Sequence, residues 1–272
     1  ASQDAHGVTD DQPDSPGDSL GYYYSTGDRT RRRSADVRLN LDLPHTTQLT
    51  IGGQVEREWQ ASETESNFGP NGFTARRRTS AAYAQLLLVP VAPYTITAGA
   101  RFEHNEAFGD FVTYRAAASA RVASGTRLRA SVGTAFREPT FLENFGSAFV
   151  IGNPSLQPEH SVSVDAGVEQ TLAAWGVVEA TYFTNSFRDL IDYTYSPTEP
   201  NYFNLARTRA SGAEVQARVT LPAGLRADAA LTYLDTRVVD PGASGDVTAT
   251  FAPGARLLRR PMHTLDAGVG YR

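Results

Sequence analysis

Residues Ser131 to Gln170 read SVGTAFREPTFLENFGSAFVIGNPSLQPEHSVSVDAGVEQ. At the start of this stretch Leu128, Ala130, Val132, Thr134 and Phe136 oppose Arg127, Arg129, Ser131, Gly133 and Arg137. At its end Val162, Val164, Ala166 and Val168 oppose Ser161, Ser163, Asp165, Gly167 and Glu169. Successive side chains of a strand point to opposite faces, so each half reads as a strand with one apolar and one polar face. Between them lies a connection built around Gly152-Asn153-Pro154 and Gln157-Pro158-Glu159.

The same period of two runs outward in both directions. It holds over Ala35 to Leu43, Leu49 to Trp59, Thr79 to Val89, Tyr94 to Glu103 and Tyr114 to Val122. Beyond the central stretch it returns over Trp175 to Phe187, Ser211 to Val219, Leu225 to Tyr233 and Leu265 to Tyr271. That predicts about eleven antiparallel strands. Short turns are expected at Pro44-His45-Thr46, Ala92-Pro93, Ser124-Gly125, Ala173-Ala174 and Pro222-Ala223-Gly224. Longer polar links are expected over Ala61 to Ala75, Asn105 to Asp110, Glu138 to Pro158, Arg188 to Leu205 and Asp240 to Arg260. Short turns at one end of a meander and long loops at the other are the layout of an outer-membrane barrel.

Composition bounds the alternatives. No apolar run reaches the length of a membrane-spanning helix, but a barrel strand needs apolar residues only at every second position. Cysteine is absent, which removes disulfides and thiolate metal sites. The net charge of -5 argues against a nucleic-acid partner. Ala1 to Leu20 is polar and acidic without the apolar core of a signal peptide, so the chain is expected to be mature or to begin inside a longer one.

A soluble sandwich and a membrane barrel both fit a long meander. The polar face mixes Arg, Asp, Glu, Ser, Thr and Gly, as a wet lumen does. On the apolar face Tyr94, Phe102, Phe136, Tyr182, Tyr233 and Tyr271 fall near segment ends, as in interfacial girdles. The membrane barrel is the better reading. Residues 1–30 are expected to form an outer loop and 31–272 the barrel strands and loops.

The order of motifs resembles the barrel of TonB-dependent outer-membrane receptors. Arg78 to Pro90, Gly99 to Glu103, Ala107-Phe108-Gly109 and Thr113-Tyr114-Arg115 follow that family's sequence of elements. Ser131 to Thr140, Gly152-Asn153-Pro154, Leu156 to Glu159, Asp189 to Tyr193, Asn204, Arg209 to Glu214 and Arg259 to His263 continue it. The impression is of the cobalamin and ferric-siderophore receptors. The resemblance implies an all-β fold: an antiparallel transmembrane β-barrel portion, 1–272, out of about 22 strands. It also implies a plug domain and TonB-box segment that this chain lacks, and hence an internal fragment.

The function implied by that resemblance is import of a scarce large ligand, cobalamin or a ferric siderophore, across the cell outer membrane of a Gram-negative bacterium. Partners would be outer-membrane lipid and the TonB energy-transducing complex, acting through the plug. Ligand contacts would come from aromatics on outer loops: Phe145, Phe149, Tyr193, Tyr195, Tyr202 and Phe203. Lumen-facing Arg129, Arg137, Glu169, Glu179, Glu214 and Arg218 would hydrogen-bond to the plug. No catalytic group, cofactor or metal is expected, since the five histidines lie scattered in loops, turns and strand ends and, for His104 beside Glu103 and Glu106, no serine is placed by spacing. Asp4, Asp10, Asp11, Asp14 and Asp18 could coordinate Ca²⁺, but without a regular ligand alternation a solvated loop is the better reading. Tyr22-Tyr23-Tyr24 and Arg31-Arg32-Arg33 read as an outer rim, with arginine near acidic headgroups. A passive porin-like channel and a soluble β-rich adhesin or binding module are the alternatives.

Overall fold

Alternation becomes a single antiparallel meander. The computed structural model describes residues 2–11, 22–44, 46–66, 69–89, 93–147, 149–220, 222–242 and 250–271; the side chains of 2–11, 22, 23 and 223 lie outside that description. The strands are β1 (Ser2–Asp11), β2 (Tyr22–Leu43), β3 (Thr47–Ser66), β4 (Asn71–Leu88), β5 (Tyr94–Asn105), β6 (Gly109–Ala123) and β7 (Thr126–Arg137). A short helix α1 (Phe141–Phe145) precedes β8 (Glu159–Thr171), β9 (Gly176–Tyr193), β10 (Tyr202–Thr220), β11 (Leu225–Asp240) and β12 (His263–Tyr271). Each strand pairs with its sequence neighbours in one 12-stranded sheet.

Register assigns the two faces. Leu39 lies opposite Ile51 and Ile51 opposite Ala84, while on the other face Asn40 lies opposite Thr50 and Thr50 opposite Gln85. Nothing among the described residues covers the apolar face: Val37 and Val269 each remain 77% exposed, and Leu39, Ile51, Ile96, Val164 and Leu231 are open as well. A soluble sandwich would bury this face under a second layer. Among the described residues the buried apolar cluster is Leu205, Val238 and Phe251 at the long-connection end, with Ala61, Phe111 and Leu156 buried elsewhere. With so little interior, the wall depends on its backbone ladder and on a bilayer as apolar solvent, because every backbone group must be paired within the sheet.

Strand length shows how far the wall extends past a membrane. At ~3.3 Å per residue a tilted strand crosses the apolar layer in about 9–11 residues, whereas β2 has 22 and β3 has 20. The excess lies at the long-connection end, where the alternation is of polar residues with polar residues.

That excess accounts for the departures from expectation. The strands number twelve among the described residues, and the outer loop expected over 1–30 contains β1 and the start of β2, paired from Ser2 opposite Arg31 to Asp11 opposite Tyr22. Hydrogen-bonded pairing continues above the membrane, where strands need no apolar residue to mark them. Asp14 and Asp18 lie outside the described residues, and nothing is placed for the side chains of Asp4, Asp10 and Asp11. The links expected at 61–75, 105–110 and 188–205 shrink for the same reason: β3 runs to Ser66, β5 ends at Asn105 and β6 starts at Gly109, and β9 runs to Tyr193. Glu138 to Pro158 and the 241–262 connection remain long. In the aromatic girdle Tyr94, Phe102, Tyr182, Tyr233 and Tyr271 are exposed, whereas the half-buried Phe136 stacks on Phe111 with ring centroids 4.0 Å apart.

Candidate functional site

The inner face of β2 to β5 concentrates charge near the long-connection end. Arg77 on β4 is the hub, with its side chain only 13% exposed. Its Nε and Nη2 donate to one carboxylate oxygen of Glu58 on β3, at 3.1 and 2.6 Å. Its Nη1 donates to the Pro139 carbonyl at 3.0 Å and lies 3.1 Å from Glu138. The guanidinium also sits 4.9 Å from the Phe141 ring centroid. Beside it Arg101 pairs with Glu103 at 2.6 Å and donates to Gln54, and Arg32 pairs with Glu56 at 2.8 Å. These side chains surround a recess of about 380 Å³. Burial pushes the Glu138 carboxyl above the usual glutamate range, a rise that Arg77 and the Asn105 amide oppose.

One residue of this hub leads directly into the connection between β7 and β8. Pro139 is buried, and Thr140 caps α1 by accepting from the Glu143 backbone N–H while Glu143 accepts from the Thr140 N–H. Arg137 then bridges the helix to the next strand, with Glu143 at 3.0 Å and Glu159 at 2.6 Å. The Glu159 carboxylate also accepts from the Ile191 backbone N–H.

The Gly152-Asn153-Pro154 and Gln157-Pro158-Glu159 segments hold the connection against β9 and β10. The Asn153 amide donates to the Tyr202 carbonyl at 2.9 Å, and its oxygen accepts from the Ser155 N–H. Gln157 and Asn204 exchange two bonds: the Gln157 N–H donates to the Asn204 oxygen, and the Asn204 amide donates to the Gln157 carbonyl. Asn201, fully buried, joins the next connection by bonding both ways with Ile151. On the far side the Asn71 amide donates to the Ser147 carbonyl. The loop is thus fastened from both sides.

Gly152 is required by space. A Cβ there would overlap the Gly146 nitrogen and the backbone of Phe145 and Asn144, and Gly146 itself has φ of 77°. Backbone cannot give way as a flexible side chain can, so Gly152→Ala is expected to cost about 2 kcal/mol, within the range for overpacking. Its signature is faster proteolysis within 138–158 at unchanged barrel content by circular dichroism.

The aromatics expected to meet ligand divide into open and packed. Tyr195 is the most open at 70%; Phe145, Phe149 and Tyr193 are exposed as well. Phe149 leans on Tyr24 with centroids 5.0 Å apart, Phe145 on Phe73 at 5.4 Å, and Tyr193 meets Tyr202 edge-on at 5.3 Å. Phe203 packs against Phe251 at 5.0 Å beside the Leu205 cluster.

Of the six inner-wall residues expected to meet a plug, four are already engaged in the wall. Arg129 pairs with Glu179 at 2.8 Å, Glu169 with Arg127, and Arg137 as above. Glu214 and Arg218 make no ion pair among the described residues. As site residues, sequence reading missed Arg77, Glu58, Asn105 and Asn201, and it met Glu138 and Asn204 only within the family motifs. Parity could have supplied the first two, since Arg77 shares a face with Tyr83 and Gln85, and Glu58 with Gln54 and Glu56.

The chain is similar to known proteins in family and in fold. A family model described as "TonB dependent receptor-like, beta-barrel" matches residues 2–272. The fold is similar to that of the ferric enterobactin receptor PfeA of Pseudomonas aeruginosa, with a TM-score of 0.70 and 19% identity over 99% of this chain and 44% of that one. It is similar to the siderophore receptor PirA of the same species, at 0.65 and 18% over 86% and 54%. The FrpB iron transporter of Neisseria meningitidis gives 0.66 and 14% over 93% and 44%. The chain spans about half the length of these proteins. With a lipid-facing apolar wall, a charged inner face and a family match across 2–272, the chain belongs to the TonB-dependent receptor β-barrels of the Gram-negative outer membrane.

Proposed function

We propose that this wall is part of an active importer, driven through TonB, whose cargo is a ferric siderophore. The observation that carries the reading is the group of open aromatic side chains, Phe145, Phe149, Tyr193 and Tyr195, on connections held down by Asn153, Asn201 and Asn204. Pre-ordered aromatic surface is suited to a large flat chelate, because little ordering entropy is lost on binding. The charged inner face supports a plug seated against it, with Glu214 and Arg218 as open contacts and the Arg77 recess as a polar berth. A plug held by such contacts closes the barrel at rest, and pulling it through TonB opens the path with no bond made or broken. Three structurally similar proteins are named for iron or siderophore transport. Cobalamin, the other cargo that the sequence suggests, has no counterpart among them.

The test uses the full-length receptor in cells. Uptake of a radioiron-labelled catecholate siderophore is expected to require both the receptor and TonB. Cobalamin uptake without iron uptake would replace the cargo, and TonB-independent conductance through the purified receptor would replace the mechanism with a passive pore. Tyr195→Ala is expected to weaken siderophore binding roughly tenfold, the loss typical of an aromatic contact at a binding surface, measured by titration on the purified full-length protein.

A further inference from the structure

The lipid-facing wall of β2, β3 and β4 carries arginine where it leaves the apolar band. Arg33, Arg57 and Arg78 lie opposite one another in register across the three strands, and the next row outward is Arg31, Trp59 and Arg76. All five arginines are exposed. Among the described residues none of them forms an ion pair or side-chain hydrogen bond, and Arg31 lies over the Trp59 ring at 5.4 Å. This contrasts with Arg32 between them in sequence, which turns inward and pairs with Glu56 and Glu58. The nearest acids form no ion pair with the rows among the described residues: Asp110 is engaged by His104 at 2.5 Å, and Glu106, whose backbone N–H donates to the Arg78 carbonyl at 3.0 Å, makes no side-chain bond to Arg78. Neighbouring strands are ~4.8 Å apart, and like charges directly opposite one another are unfavourable. Three in register call for an anion above them.

Directly below the rows, the same face is cut away. Ala35, Val37, Gly53, Val55, Ala82 and Phe102 line an apolar groove of about 480 Å³. Its upper edge, Ala35 opposite Val55 and Val55 opposite Ser80, is the next same-face row beneath Arg33, Arg57 and Arg78. Two residues along a strand amount to ~7 Å. A cationic row thus sits one step above a slot of acyl-chain character, and both face the bilayer.

We propose that this surface is a binding site for an outer-leaflet lipid with a multiply phosphorylated headgroup. Planar guanidinium forks bind phosphate oxygens in pairs, Trp59 marks the interface level, and the groove receives one chain of the lipid. The site is independent of the transported cargo and rests only on the outer-membrane barrel.

The test uses the full-length receptor in phosphatidylcholine nanodiscs doped with diphosphoryl lipid A or with its dephosphorylated form, with retained lipid counted by native mass spectrometry. Retention of the diphosphoryl form alone is expected. In the triple variant Arg33→Gln, Arg57→Gln, Arg78→Gln it is expected to fall roughly a hundredfold, each cation near an anionic surface contributing about fivefold. The equal-charge control Arg188→Gln, Arg209→Gln, Arg237→Gln, on the same face of β9 to β11, is expected to retain it. Gly53→Leu fills the groove without backbone conflict, since a Cβ there meets nothing nearer than the Ala81 carbonyl at 3.5 Å, and is expected to lower lipid retention alone. Heat-resistant migration and siderophore uptake report that each variant is folded. Equal retention by the triple variant, equal loss in the control, or displacement by inorganic phosphate at the lipid's own concentration would each overturn the proposal.

Discussion

Arg77→Ala is expected to destabilise the full-length receptor by about 3 kcal/mol, the lower end of the range for breaking a buried ion pair, because the inner wall is partly wet. The loss has more than one origin. Glu58 and Glu138 lose their shared cation at 2.6 and 3.1 Å, and the Pro139 carbonyl loses its donor. Phe141 loses the guanidinium above it. Arg77→Lys keeps the charge but not the fork that reaches Glu58, Glu138 and Pro139 together, so an intermediate loss is expected.

The pH dependence separates this account from a simple packing defect. The Glu138 carboxyl already titrates above the usual range through burial, and Arg77 is the chief influence lowering it. Removing Arg77 raises it further. A carboxyl with a raised folded-state pKa adds stability that is fully present below its unfolded value and lost as pH rises through the folded value. The penalty of Arg77→Ala is therefore expected to grow from acidic toward neutral pH, and Arg77→Ala with Glu138→Gln to flatten that slope. Denaturant unfolding of receptor refolded in vesicles measures both. A pH-independent penalty would refute the hub.

Much of this fold was readable because a barrel wall repeats one instruction. Every strand crossing the apolar layer shows period two, so the eleven predicted segments all fall on strands. What escaped lies beyond the layer. Residues 2–11 and 61–66 pair as strands, but their sequences SQDAHGVTDD and ASETES carry no regular apolar contrast, so period two has nothing to display. The site was legible as a place rather than as a set of contacts. The stretch Ser131 to Gln170 marked the connection, but its asparagines, glutamines and glycines prove to be its fastenings, whose partners lie about fifty residues away in the chain. Parity places Arg77 on the inner face, but its contacts were hidden for the same reason: its partners Glu58 and Pro139 are 19 and 62 residues distant. Arg31-Arg32-Arg33 shows the opposite case. Parity alone splits the triplet between two faces, and in the structure Arg32 turns inward to Glu56 and Glu58 while Arg31 and Arg33 stay exposed on the outer face.

Depth along the wall gives the second large effect. Ile51 stands at the middle of the apolar band, opposite Leu39 at the centre of the Ala35 to Leu43 run and opposite Ala84. Ile51→Arg would place a guanidinium at the bilayer midplane, where it costs about 2–4 kcal/mol, falling to about 0–1 near the interface. Leu43→Arg, at the short-turn rim, is therefore expected to cost little, and Leu41→Arg to fall between. Thr50→Arg tests the other face one residue away: it looks into the lumen beside Asn40, to which the Thr50 hydroxyl donates at 2.9 Å, and is expected to cost only that bond, about 1 kcal/mol. Unfolding of the full-length receptor from lipid vesicles measures the series. A steep gradient on the odd-numbered face of β3 and β2, and none on the even, arises only if the apolar face is immersed in hydrocarbon. In a water-exposed sheet Ile51 and Leu43 would tolerate arginine equally, since nothing distinguishes their surroundings by depth.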